Sequence, residues 1–240
     1  MISVCMATCN GEKYVQKQVE SILAQLSETD EVIVSDDSSS DATIKIIESF
    51  NDSRIKIFKQ QKFCSPIFNF ENAIKNATGD YIFLSDQDDL WLPNKVKITV
   101  NYLKKYDCVI SDAFIIDMNE KIISDSFFEV NKSKKGLCSN FIKNGYLGCC
   151  MAFHKKMLKY ILPFPDNIPM HDMWIGSVSE LFGQTVFCKE PLIYHRRHGL
   201  NYSMTSEKSI NPIAVRLKYR LNLFSSLAGR LFERVFFKQR

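Results

Sequence analysis

The chain has 240 residues, 45% hydrophobic and 24% charged, with a formal net charge of +4. That is enough chain for one large α/β domain or a domain with an appendage, and so ordinary a composition argues against a disordered, fibrous or disulfide-scaffold protein. The N-terminus MISVCMATCN has no basic flank before a long apolar run, and no apolar stretch reaches the ~18 residues a membrane span needs, so neither a secretory leader nor a transmembrane helix is expected.

Residues 2–7, ISVCMA, predict a buried strand, with Thr8, Asn10 and Gly11 as a turn. From Glu12 to Leu26 apolar residues recur at helical spacing. Glu31–Ser35 predicts a second strand and DDSSSDAT a loop, with Asp41 as N-cap of a helix running to Phe50. Residues 55–59 predict a third strand, Phe68–Ala77 a helix ended by Gly79, and residues 80–84 a fourth strand. Strands alternating with helices imply a mostly parallel sheet covered by helices.

The second half is less regular. Residues 107–118 hold a strand or two. NGYLGCC reads as a glycine-rich crossing before a strand and helix. DMWIGSVSELFG is helical, and TVFCKEPLIYHRRHG reads as strand, turn, strand. The eight cysteines form no CxxC pair and several lie in strand-like runs, which fits reduced, structural thiols in the cytoplasm rather than a zinc ribbon. From Pro212 to Arg240 seven basic side chains face Glu233 alone, a net +6 that leaves −2 for residues 1–211. Within that tail Leu217, Leu221, Phe224, Leu227 or Ala228, Leu231 and Val235 step by three and four. The pattern predicts an amphipathic helix for an anionic membrane surface, or for packing on the body or a second copy in a homodimer. No nucleic-acid partner is expected.

Three polar clusters fall at the carboxyl ends of successive strands, where open α/β sheets bind ligands: Thr8/Asn10/Glu12, Asp36/Asp37 and Asp86/Asp88/Asp89. Asp36 and Asp37 suit recognition of a nucleobase or ribose, or form an acidic turn ahead of Asp41. Three carboxylates within four positions raise one another's pKa unless a cation sits among them. Oxygen ligands of this kind suit Mg²⁺ or Mn²⁺ shared with a substrate phosphate. Alternatively, Asp89 caps the helix that follows Pro93 and the others are solvated.

ATCNGEKYVQKQVESIL, EVIVSDDSSSDAT and GDYIFLSDQDDLWLPNKV resemble glycosyltransferase family 2, and SDQDDLWLPNK resembles its bacterial rhamnosyltransferase-type members. NGYLGCCMAFHKKML, LPFPDNIPMHDMWIG and YHRRHGLNYS match more loosely. The resemblance implies a GT-A fold with a Rossmann-like sheet. Its nucleotide-sugar-binding half would span 1–105, its acceptor-binding half 106–205 and the basic helical tail 206–240. It implies an inverting, metal-dependent transferase for bacterial cell-surface polysaccharide (O-antigen or capsule). The donor would be a dTDP- or UDP-linked sugar, rhamnose among them, and the acceptor a glycan or lipid-linked oligosaccharide. The enzyme would work in the cytoplasm or on the inner face of the plasma membrane.

By the same resemblance, Thr8, Asn10, Glu12, Asp36, Asp37, Asn69 and Asp86 hold the nucleotide. Asp88, with Asp86 and His198, holds Mg²⁺ or Mn²⁺, and Arg196 and Arg197 add positive charge there. Asp172 is the general base, and His171, Trp174 and Gly148 meet the acceptor. Asp172 could equally be a helix N-cap. His195 stands where many relatives carry Tyr, and the Q-x-x-R-W motif of processive polymerases is missing. Two other classes compete: a phosphohydrolase or phosphoacceptor protein, and a catalytically silent sugar-nucleotide-binding module.

Overall fold

The computed structural model describes residues 1–197 and 212–236. The first half runs β1 (Ile2–Thr8), α1 (Val15–Leu23), β2 (Glu31–Asp36), α2 (Thr43–Ser49), β3 (Ile55–Phe58), α3 (Pro66–Lys75) and β4 (Tyr81–Asp86). There follow β5 (Leu90–Trp91), α4 (Lys95–Leu103), β6 (Cys108–Ile116), β7 (Ile122–Ser124), α5 (Phe127–Asn131) and α6 (Leu137–Ile142). Then come β8 (Met151–His154), α7 (Leu158–Ile161), α8 (His171–Phe182), β9 (Thr185–Arg196) and α9 (Ile213–Phe236).

Among the described residues one sheet orders its strands β3-β2-β1-β4-β8-β6-β9-β5, with β7 beside β6. The β3-β2-β1-β4 half is parallel throughout. Its inner strands bury successive residues, so both faces are covered: Val4, Cys5, Met6, Val32, Ile33 and Val34 have no exposed surface. The other half differs from the expected mostly parallel sheet. β8 runs antiparallel to β4 and β6, and β5 antiparallel to β9; only β6 and β9 pair in parallel. The predicted strand-turn-strand over 185–199 is one continuous strand to Arg196. Its pairing jumps from Ser111↔Cys188 to Asp112↔Pro191, a bulge that absorbs the Lys189–Glu190 pair and places Pro191 where the ladder is already interrupted.

Carboxylates at the opposite, amino-terminal edge of the sheet are consumed by the fold. Glu31 accepts from Ser3 Oγ at 2.5 Å, Lys56 Nζ at 2.7 Å and Thr78 N–H at 2.7 Å. Burial works to raise its carboxyl, but these bonds outweigh it and hold the group down at about 2.

The tail helix α9 lies against the body. Leu223 and Leu227 are buried, and Phe224 meets Phe141 edge-on with ring centroids 6.4 Å apart. Arg220 donates to the carbonyls of Phe141 and Ile142 at the end of α6. Arg230 donates to those of Leu162 and Pro163 just past α7, at 2.7 and 2.6 Å. Two arginines thus satisfy carbonyls that helix ends leave without an intrahelical partner. The predicted apolar stripe enters this contact only in part: Leu227 is buried and Phe224 touches Phe141, while Leu217, Leu221, Phe224 and Leu231 remain 44–63% exposed. No helix among the described residues is long and apolar enough to cross a membrane.

Candidate active site

The carboxyl ends of β1, β2 and β4 open into one cleft of about 650 Å³. On its β1–β2 side the polar residues are tied to backbone. Buried Thr8 donates its hydroxyl to Asp36 Oδ1 at 2.8 Å, and Asn69 Nδ2 donates to the Thr8 carbonyl at 3.1 Å. Asn10, at φ 51° in the left-handed region that Asn tolerates, accepts from Ser40 N–H at 2.9 Å. Glu12 accepts from Ala42 N–H at 2.9 Å. Asp41, the expected N-cap, lies one residue ahead of the observed cap, Ala42, and accepts from Thr43 N–H at 2.9 Å. Asp37 accepts from Phe63 N–H at 2.7 Å and Ser65 N–H at 3.1 Å, which leaves each carboxylate oxygen a lone pair. Asn69 Oδ1 is buried with no hydrogen-bond partner among the described residues.

The three carboxylates after β4 separate into two groups. Asp89 turns away from the cleft and is buried. Its Oδ1 accepts from His195 Nδ1 at 3.0 Å and from Arg196 N–H at 3.0 Å. Burial pulls His195 down, but the Asp89 carboxylate overrides it and pushes the imidazole up to about 9, so the pair is ionic at neutral pH. Cys149 Sγ lies 3.8 Å from His195 Nδ1, so Asp89, Cys149 and His195 bring three potential ligand atoms within 4.8 Å of one another. Asp89 Oδ1 and His195 Nδ1 are spent on each other, and Asp89 Oδ2 is buried with no hydrogen-bond partner among the described residues. Asp86 and Asp88, in contrast, both line the cleft. Burial, then Asp89 and Asp88, push the Asp86 carboxyl well above the usual carboxylate range. Between them Gln87 makes a two-way clasp with Cys9: Nε2 donates to the Cys9 carbonyl and Oε1 accepts its N–H, both at 2.9 Å. The clasp passes directly over Gly11, where a Cβ would fall 2.3 Å from Gln87 Oε1, so a larger residue there would have to displace the Gln87 side chain and break the clasp. The loop that would hold a nucleotide and the loop that would hold a metal are thereby joined by two hydrogen bonds.

The far wall is the start of α8. Asp172 lines the cleft with Oδ2 accepting from Asn144 Nδ2 at 3.1 Å and Oδ1 from Met173 N–H at 2.6 Å. Burial outweighs these bonds and pushes its carboxyl up to about 6, a value suited to a general base near neutral pH. His171 stacks on Phe70 with centroids 4.1 Å apart. Burial holds it neutral, down at about 3, and neither ring nitrogen has a hydrogen-bond partner among the described residues. Gly148 lines the cleft against this ring, and a Cβ there would come within 2.5 Å of His171 Nε2.

The structure therefore gathers Thr8, Asn10, Glu12, Asp37, Asn69, Asp86, Asp88, Gly148, His171 and Asp172 around one cavity. Three expectations need correction. Asp36 sits behind the cleft and holds Thr8 and the Ser39 N–H, so its role is to shape the loop. Trp174 is fully buried with Nε1 on the Ile161 carbonyl at 2.8 Å, and cannot meet an acceptor. Arg196 is buried, with Nε on the Asp88 carbonyl at 2.9 Å and its guanidinium 3.2 Å from Glu120 and stacked over Tyr14, so it braces the loop. His198 lies outside the described residues. The sequence reading missed Asn144, which orients Asp172, the Gln87 clasp and the Asp89–His195 pair. Asn144 carried a signal in its Asn-Gly dipeptide; the other two join segments far apart in the chain.

A sequence profile described as glycosyl transferase family 2 matches residues 3–162. The chain is 37% identical over 219 residues to the dTDP-rhamnosyl transferase RfbG of Shigella flexneri, covering 82% of this chain and 72% of that one. It is 28% identical over 167 residues to the Escherichia coli UDP-Glc:alpha-D-GlcNAc-diphosphoundecaprenol beta-1,3-glucosyltransferase WfgD, covering 69% and 64%. Against several uncharacterized Rickettsia glycosyltransferases it spans about a third of their length. Among solved structures, S. aureus TarS 1–349 with UDP-GlcNAc superposes with a TM-score of 0.68 at 20% identity, covering 98% of this chain and 73% of that one. The mannosyltransferase PcManGT from Pyrobaculum calidifontis, in complex with GDP-Man and Mn²⁺, gives 0.63 at 14%, covering 98% and 74%. At such identities the likeness speaks for the fold, which is GT-A. The profile runs through every segment that builds the β1–β4 side of the cleft, and on that ground the chain belongs to glycosyltransferase family 2.

Proposed function

We propose that the chain is a metal-dependent inverting glycosyltransferase of bacterial cell-surface polysaccharide synthesis. It takes a sugar from a dTDP- or UDP-linked donor, with dTDP-rhamnose the first candidate from the likeness to RfbG, and passes it to a lipid-linked glycan acceptor of the kind named for WfgD. One observation carries the reading: Asp172, with its raised carboxyl, and the Asp86/Asp88 pair line the same cleft. Asp172 would take the proton of the attacking acceptor hydroxyl while the diphosphate departs from the opposite face of the sugar. Asn144 fixes the oxygen that receives it.

Asp86 and Asp88 fit a divalent ion. They are hard oxygen donors, crowded enough to raise Asp86, and unlike Asp89 both face the cleft. Mg²⁺ or Mn²⁺ held there would supply positive charge against the departing diphosphate. Asp37 and Asn69, with acceptor capacity to spare, suit the imide N–H and the ribose of a pyrimidine nucleotide.

The test is incubation with radiolabelled dTDP-rhamnose and UDP-sugars and a diphospholipid-linked glycan, with and without EDTA. Transfer that EDTA abolishes supports the reading. Donor hydrolysis indifferent to acceptor points to a phosphohydrolase, and binding without turnover to a silent module.

The same proposal places the enzyme on the inner face of the plasma membrane through α9. The outward Leu217, Leu221, Phe224 and Leu231 stripe, in a tail of net +6, suits an anionic bilayer surface. Its grip is on the acceptor side: Arg220 holds Phe141 and Ile142, two residues before the Asn144 that orients Asp172. The full chain is expected to sediment with anionic liposomes and detach at high salt. Leu217→Ser with Phe224→Ser should lose binding while the buried Leu223 and Leu227 keep α9 docked. Binding indifferent to lipid charge would overturn the proposal, as would a stripe covered by a second copy in solution.

A further inference from the structure

The Asp89–His195 pair raises a question that the glycosyl-transfer reading leaves open. Asp89 could be satisfied by the Arg196 N–H and a neutral donor, yet the chain sets a histidine against it. His195 is about nine-tenths buried, and its exposed edge lines the cleft together with Asp86 and Asp88. Only Nδ1 is engaged: Asp89 holds it at 3.0 Å, and Nε2 makes no hydrogen bond to any described residue. A carboxylate bonded to one ring nitrogen keeps the proton there and favours a second proton on the other. The ring is thus a buried cation with one unused N–H at the surface of a cleft lined by the carboxyl groups of Asp86 and Asp88.

We infer that His195 is a diphosphate-binding residue, its Nε2–H donating to a phosphate oxygen of a nucleoside diphosphate bound over Asp86 and Asp88. The inference rests on the glycosyl-transfer reading of the cleft and deepens it. An imidazolium has no lone pair for a metal, so His195 adds charge beside a metal site without competing for the ion. Charge-assisted bonds to phosphate are the strong ones, and here the ring is pre-set by Asp89. The proton stays on Nε2 throughout; the residue neutralises the leaving group and does not protonate it. Asp89 acts through His195 as a positioning residue. The third carboxylate after β4 thus brings its own internal cation, and that cation faces the place where negative charge accumulates.

The test measures binding of UDP, UMP, dTDP and dTMP to the full chain by titration calorimetry, in EDTA and in Mn²⁺. His195→Gln is expected to weaken the diphosphates by about ten- to a hundredfold in both media, the range for a hydrogen bond to a charged group. The monophosphates should shift by about twofold or less, which also reports an intact fold. Because the single change leaves Asp89 buried without its cation, Asp89→Asn with His195→Gln is measured alongside; it should show the same diphosphate-selective loss with normal thermal stability. Equal loss for mono- and diphosphates, or no loss, would overturn the role. Loss confined to Mn²⁺ would instead make His195 a metal ligand. A wild-type chain that binds no nucleoside diphosphate would remove the glycosyl-transfer reading itself.

Discussion

Asp88→Ala is expected to lower sugar transfer at least a hundredfold while leaving the fold intact. The Asp88 backbone carbonyl accepts from Arg196 Nε at 2.9 Å, a bond that alanine retains. Its carboxylate lines the cleft beside Asp86. If Asp86 and Asp88 hold a divalent ion as proposed, removing one of them weakens that hold and withdraws charge from the departing diphosphate, where a single lost electrostatic contact costs on the order of 10²–10³ in turnover. Wild-type enzyme in EDTA should fall to the same level and recover with Mg²⁺ or Mn²⁺; the variant should not. Asp89→Ala makes the contrast. It strips the partner from a buried imidazolium and from the Arg196 N–H, and breaking a buried ion pair costs about 3–5 kcal/mol. That variant should unfold at clearly lower temperature. Full transfer by Asp88→Ala would show that the D-x-D pair does not hold the ion, whatever else it does.

The two aspartates differ in how visible their roles were in the sequence. The first half of the fold was legible because buried parallel strands are continuous apolar runs and the intervening helices keep their period. The acidic clusters at β1, β2 and β4 could therefore be placed on one edge before any coordinates. Strand direction in the second half is set by tertiary pairing, which no local pattern encodes. Lys189-Glu190-Pro191 has turn composition, yet the chain passes through it as a bulge against Ser111 and Asp112. Asp89 looked like its two neighbours because its partner is 106 residues away. Trp174 was within reach of argument. Two helical steps turn about 200°, so a helix that aims Asp172 into the cleft aims Trp174 away from it. For α9 the period was legible, but the stripe that docks is fixed by Arg220 and Arg230 finding carbonyls on the body.

Asp172→Asn is expected to keep nucleotide binding and lose turnover by roughly 10²-fold or more, the usual contribution of a general base. The substitution preserves size, and the amide oxygen can still accept from Met173 N–H, while the amide NH2 replaces the oxygen that accepted from Asn144, so one hydrogen bond is lost. What disappears is the capacity to take a proton. The pH profile gives an independent reading. Burial pushes the wild-type carboxyl up to about 6, so below pH 6 the base is protonated and kcat/KM should fall about tenfold per pH unit; above it the profile should flatten. Linkage fixes the sign for stability. A carboxyl whose folded pKa lies above its unfolded value of about 3.9 makes the ionised native state the costly one. The cost is present in full above pH 6 and is relieved as pH falls from 6 toward 4. The asparagine variant carries no such titrating cost, so its stability should lack that slope between pH 6 and 4. A variant that binds donor poorly yet turns over at the wild-type rate would make Asp172 a binding residue, and the hydroxyl proton would have to leave by another route.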